Sequence, residues 1–123
     1  MKIFLDTADV DSIASRFATG LIDGVTTNPT LIRKSGKDPR DVYRELANLG
    51  VVDISMEVVG SVGEMYREAV NLCEEFKEVA TIKVPCTSDG LQVCKSLTDA
   101  GIRTNVTLIF SAAQAILAAK AGA

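Results

Sequence analysis

Lys83 puts one ammonium in the middle of Val79-Ala80-Thr81-Ile82-Lys83-Val84-Pro85, a stretch that otherwise reads as a short buried strand. Burying an unpaired charge is costly, so a lysine in such a place shifts its pKa or finds a partner. A deprotonated lysine attacks carbonyl carbon, and amine catalysis is the chemistry this position suits. Other polar groups end the other strand-like segments: Asp6, then Thr26, Thr27 and Asn28, then Glu57, then Asn105 and Thr107. Asp6 and Glu57 are suited to moving protons during dehydration and carbon–carbon cleavage. Both also favour the ammonium, so a dry setting has to prevail if Lys83 is to act as a nucleophile. Amides and hydroxyls would hold a substrate's own hydroxyls and a water.

Each residue alone has a plainer explanation. Lys83 could snorkel to the rim of a sheet, Asp6 could cap a helix, and Asn28 before Pro29 is a common turn pair. Thr107 could be an ordinary strand threonine and Glu57 a solvated rim residue. What argues for a single site is their coincidence at equivalent ends of consecutive strands.

The elements that must position them are legible from period and punctuation. Strands are expected near 2–6, 21–26, 51–58, 79–84 and 102–108, each followed by a helical pattern. Asp9, Asp38-Pro39, Ser61 with Glu64, and Ser111 with Gln114 read as helix starts; Gly20, Gly50, Gly101 and Gly122 read as stops. No hairpin signal separates any two strands, so right-handed crossovers and a parallel α/β sheet follow. Its working face would be the carboxyl ends of the strands. Period two puts Asn105 with Thr107, and Ser55 with Glu57, on shared faces. Five such units suit a complete doubly wound, flavodoxin-like sheet as well as the first five units of an eight-unit barrel, and composition does not choose.

Composition narrows the functional classes. The 123 residues carry 13 basic and 16 acidic side chains, a net charge of -3, with 47% apolar residues, which suits one soluble domain rather than a partner of nucleic acid. No apolar run is long enough for a membrane span, and Asp6 and Asp9 interrupt any secretory signal. The sequence has no histidine, which removes serine–histidine chemistry, and Cys73, Cys86 and Cys94 match no metal spacing. Reduced thiols and a cytoplasmic location are the simplest account. Neither a dinucleotide fingerprint nor a P-loop is present, and the helix start at Thr87-Ser88-Asp89-Gly90 is explained by capping. No cofactor is expected.

Five segments together resemble the transaldolase family, in its small single-barrel branch that includes fructose-6-phosphate aldolases. They are Phe4-Leu5-Asp6-Thr7-Ala8, Gly24-Val25-Thr26-Thr27-Asn28-Pro29-Thr30, Ser55-Met56-Glu57-Val58, Ile82-Lys83-Val84-Pro85 and Thr104-Asn105-Val106-Thr107-Leu108-Ile109-Phe110. The resemblance runs from Met1 to Ala123. It implies parallel (β/α) units of a TIM barrel, the first five of eight, so that residues 1–123 form an incomplete, truncated barrel domain.

The resemblance also implies roles. Lys83 stands where the family's Schiff-base lysine stands and would attack the ketone of fructose 6-phosphate or sedoheptulose 7-phosphate. Asp6 matches the acid–base aspartate that takes the proton of the C4 hydroxyl, and Glu57 the carboxylate that works through a water. Thr107 matches the threonine that positions this water. Asn28 and Asn105 match asparagines on the dihydroxyacetone moiety, with Thr27 beside them. Glu57 and Asn105 favour transfer of the three-carbon unit to an aldose phosphate, in the pentose phosphate pathway, over cleavage to free dihydroxyacetone.

The family's members are longer. The segments that would supply the phosphate-holding arginine and serine are absent from this sequence, as is the C-terminal helix that packs subunits into pentamers or decamers. The isolated chain is therefore expected to be inactive or nearly so, and an inactive barrel fragment serving as an interaction module is the competing reading.

Overall fold

Strands and helices alternate along the whole chain, and the computed structural model describes residues 1–123. The strands are β1 (Phe4–Asp6), β2 (Gly24–Thr26), β3 (Ile54–Glu57), β4 (Ala80–Pro85) and β5 (Thr104–Thr107). The helices are α1 (Val10–Phe17), α2 (Pro29–Ser35), α3 (Pro39–Asn48), α4 (Val62–Phe76), α5 (Ser88–Asp99) and α6 (Ala112–Ala121), with one 3-10 turn at Lys77–Val79.

Most helices start on a side chain that satisfies a backbone N–H lacking an intrahelical partner. Asp9 accepts from Ser12 N, Asn28 from Leu31 N, Asp38 from Arg40 N, Thr87 from Gly90 N and Ser111 from Gln114 N. Pro29 and Pro39 occupy the first turns of α2 and α3, where no N–H is needed. At α4 the carboxylate of Glu64 reaches back to Ser61 N at 2.8 Å, the carboxylate half of a capping box.

The strands begin later than hydrophobic pattern alone implies, because the residues ahead of them are used to end helices. Gly50 (φ 90) and Gly101 (φ 77) turn the chain in the left-handed region after α3 and α5. Val51 N then donates to Leu46 O at 3.2 Å and Ile102 N to Leu97 O at 2.9 Å, the backward bonds of a Schellman closure. Those amides are therefore spent on the helices and not on the sheet. Ahead of β2, Asp23 accepts from Ile3 N through its side chain at 2.6 Å and donates its own N–H to Ile3 O at 2.8 Å.

The sheet has the order β1-β2-β3-β4-β5. β1 and β2 pair in parallel with Phe4 opposite Gly24 and Asp6 opposite Thr26. β2 pairs with β3 through Val25 and Ile54, and β4 with β5 through Ile82 and Thr104 and through Lys83 and Asn105. A doubly wound sheet reverses its strand order at a switch point. No reversal occurs here, so the flavodoxin-like alternative is excluded, and the five β/α units have the winding of the first five units of a TIM barrel.

The chain divides into two compact units, Met1–Met56 with Phe76–Ala80, and Glu57–Glu75 with Thr81–Ala123. In the first, Ile13, Val25, Val42, Leu46 and Ile54 are fully buried, and the rings of Tyr43 and Phe76 meet edge to face at 5.7 Å. In the second, Ile82, Val84, Val93, Cys94 and Leu97 are fully buried beside Met65, Ala69 and Leu72 of α4. β4 is buried over Ala80 to Val84, as befits a parallel strand covered on both faces. No helix is long and apolar enough to cross a membrane.

Candidate active site

Lys83 is the only lysine in the buried set, and its burial is possible because it is paired. Its Nζ lies 3.3 Å from Glu57 Oε2, with side-chain exposures of 10% and 13%. Backbone geometry sets this up. Val58 N donates to Lys83 O at 3.0 Å, which fixes the end of β3 beside the middle of β4. Of the outcomes open to a lysine in such a strand, the structure has a partner, and separating the two would leave a nearly dry charge unmatched.

Register brings two more polar groups to the same face. Lys83 stands opposite Asn105, and Pro85 opposite Thr107. The alternate residues of β5 turn the other way: Thr104 Oγ1 lies 3.3 Å from Cys94 Sγ on α5. Asn105 and Thr107 therefore share the face of Lys83, away from the helix, and both are half-buried. Large apolar residues would ordinarily occupy such positions. In the second unit, Glu57, Lys83, Asn105 and Thr107 come together as one polar cluster.

In the first unit the polar residues sit at the carboxyl ends of β1 and β2. Thr26 Oγ1 donates to Asp6 Oδ1 at 2.8 Å, across the pair that register places side by side. Asn28 is half-buried, and its Oδ1 accepts from Leu31 N at 3.0 Å, so its amide NH₂ is the part left for a ligand. Thr27 is fully buried and its hydroxyl donates to Ser55 O at 3.1 Å. That bond ties β2 to β3 just where Asn28 leaves the sheet.

Three features of this region have no clear sequence signal. The Thr26–Asp6 bond depends on register, which strand pattern alone does not supply. Gly90 looks like a helix-cap glycine, yet a Cβ there would lie 1.9 Å from Pro85 O, so the first turn of α5 sits directly on the end of β4. Leu108, right after Thr107, has φ 64, a left-handed conformation for which leucine has no preference. The thiols form no bond with one another, and burial pushes the Cys73 thiol up, partly offset by the charge of Arg103.

The strand ends thus present a paired lysine, two carboxylates and a set of amides and hydroxyls, in five sequential parallel units. A family model described as transaldolase/fructose-6-phosphate aldolase matches residues 3–123. The chain belongs to that family. It is 50% identical over 123 residues to a probable transaldolase of Sphingopyxis alaskensis, covering all of this chain and 57% of the relative. A probable transaldolase of Novosphingobium aromaticivorans is 55% identical over 124 residues, again with all of this chain and 57% of the relative covered. One of Geobacter metallireducens is 53% identical over 126 residues, with 58% of it covered. The chain thus spans less than two thirds of the length of these curated relatives.

Proposed function

We propose that the protein transfers a dihydroxyacetone unit from a ketose phosphate, sedoheptulose 7-phosphate or fructose 6-phosphate, to an aldose phosphate through a Schiff base on Lys83. The observation that carries this reading is the Lys83–Glu57 pair at 3.3 Å, with both side chains nearly out of solvent, in a chain of this family.

For attack, the ammonium of Lys83 must first lose a proton, and Glu57 is the carboxylate within reach to receive it, directly or through one water. The free amine adds to the C2 ketone to give a carbinolamine. Returning a proton to its hydroxyl lets water leave, and the C2 iminium forms. Asp6 then takes the proton of the C4 hydroxyl. The C3–C4 bonding pair moves into a C2–C3 double bond, the iminium becomes a neutral enamine, and C4 departs as an aldehyde. An incoming aldose phosphate reverses these steps, and hydrolysis frees Lys83. Asn28, Asn105 and Thr107 are assigned to the hydroxyls of the three-carbon unit and to the water; Thr27 acts by holding β2 on β3. A place in the pentose phosphate pathway, in the cytoplasm, fits these substrates, and a homo-oligomeric assembly of the whole protein is part of the proposal.

Incubating the protein with fructose 6-phosphate, reducing with borohydride and mapping the modified peptide tests this. The expected adduct is on Lys83 and absent from Lys83→Met. Adding glyceraldehyde 3-phosphate should consume the three-carbon unit. Release of free dihydroxyacetone at the same rate with and without this acceptor would favour aldolase-type cleavage instead. No adduct on Lys83 would sink the Schiff-base reading.

A further inference from the structure

The hydrogen bond between Thr26 and Asp6 is the one contact that side-chain chemistry supplies to the carboxylate assigned to proton transfer. Asp6 ends β1 and is exposed, so packing does not fix its rotamer. A free aspartate at a strand end samples several staggered rotamers, of which few aim a carboxylate oxygen at one substrate hydroxyl. Thr26 removes that freedom. It is the register partner of Asp6, on the same face of the neighbouring parallel strand, and its Oγ1 donates to Oδ1 at 2.8 Å. Thr26 is itself well held, since it is β-branched and therefore stiff at χ1, and its backbone O accepts from Thr7 N at 3.1 Å.

We propose that Thr26 is a positioning residue for the reaction: its hydroxyl occupies Oδ1 of Asp6 and orients the carboxylate so that Oδ2 receives the substrate proton. This rests on the reading of Asp6 given above. Thr26 does not touch the reacting atoms in this scheme, and its hydroxyl proton stays on its own oxygen throughout. Its contribution is made only when the C3–C4 bond breaks. Schiff-base formation on Lys83 proceeds without it.

That separation gives the test. In the full chain, Thr26→Val keeps the β-branched shape and deletes the donor, and Thr26→Ser keeps the donor. Two readouts are compared: borohydride trapping of dihydroxyacetone on Lys83, which needs no bond cleavage, and release of glyceraldehyde 3-phosphate from fructose 6-phosphate. The expected result for Thr26→Val is parental trapping, an unchanged KM and a kcat lower by about tenfold or more, within the range that positioned proton transfer supplies. Thr26→Ser should restore kcat to within about threefold, because the donor returns at the same place. Parental cleavage by Thr26→Val overturns the proposal, as does failure of Thr26→Ser to restore it. Loss of trapping in both Thr26→Val and Thr26→Ala would make the role one of folding and overturn it as well. An Asp6→Asn arm separates this from failure of the underlying reading: if Asp6→Asn cleaves like the parent, the assignment of Asp6 falls first and Thr26 with it.

Discussion

Lys83 Nζ stands 3.3 Å from Glu57 Oε2, and both side chains are almost out of solvent. Breaking such a pair from one side leaves an uncompensated charge in a dry place. Glu57→Leu should therefore lower unfolding free energy by about 3 kcal/mol in urea titration, the near end of the range for a broken buried pair. Glu57→Gln should cost less, since its amide still offers an oxygen to the ammonium. Both variants should slow borohydride-trapped adduct formation by about a hundredfold or more, the lower end of what a positioned acid–base group contributes. Parental trapping rates with only a stability loss would confine Glu57 to a structural role.

Gly90 lets α5 start on top of β4, where an added Cβ would meet Pro85 O at 1.9 Å. A backbone carbonyl cannot swing aside as a side chain can. Gly90→Ala should therefore shift the end of β4, two residues past Lys83, at a cost of about 1–3 kcal/mol typical of overpacking. Trapping on Lys83 should fall with it. Gly63 is the control: it lies near the start of α4 with nothing within 4 Å of an added Cβ. Gly63→Ala should stabilise by about 0.4–1 kcal/mol and leave trapping unchanged. Equal behaviour of the two alanines would refute the close-contact argument.

Strand–helix alternation was legible because caps and stops bracket it: Asp9, Asn28-Pro29, Asp38-Pro39, Ser61 with Glu64, and Ser111 with Gln114 act locally, within a turn of the residue itself. Winding was not legible. Strand order depends on which strands lie side by side, and nothing within one strand–helix unit encodes it, so the residue pattern alone fits a reversed doubly wound sheet equally well and only the family resemblance implies the barrel winding that the strand order shows. The polar cluster shows the same divide. That Asn105 and Thr107 share a face follows from period two alone, whereas that they share it with Lys83 follows only from register. Hydrophobic pattern carries the strands back to Val51 and Ile102 because it does not reveal that an amide already closes the preceding helix. The Thr26–Asp6 bond lies on the same non-local side.

Hydrogen bonds from the hydroxyl and the backbone N–H of Ser61 hold the Glu64 carboxyl below its ordinary value of 4.5. A folded value below the unfolded one means that the unfolded chain binds more protons, so stability rises with pH across that interval. The contribution is complete above the unfolded carboxylate range and is lost as pH falls through the folded value. Glu64→Gln keeps the capping geometry without a titrating group. The gap in unfolding free energy between parent and Glu64→Gln should shrink as urea titrations move from neutral pH to below 4.5. A gap that is constant across that interval would show that the carboxylate does not carry the cap.

Leu108 holds φ 64 immediately after Thr107, and the residue is 55% exposed. An L-residue pays about 1–2 kcal/mol in the left-handed region, and little burial offsets it here. Glycine carries no such penalty but gives the unfolded chain more freedom. The two effects oppose each other and the steric one is larger, so Leu108→Gly should raise stability by up to about 1 kcal/mol. Leu108→Val should lower it, since β-branching makes the left-handed region worse. The chain leaves β5 through this residue, so a looser bend also frees Thr107, whose carbonyl accepts from Cys86 N at 2.8 Å. Leu108→Gly should consequently speed amide exchange at Cys86 even while global stability rises. Slower or unchanged exchange there would show that the Thr107–Cys86 bond, not the bend at Leu108, fixes the end of β5.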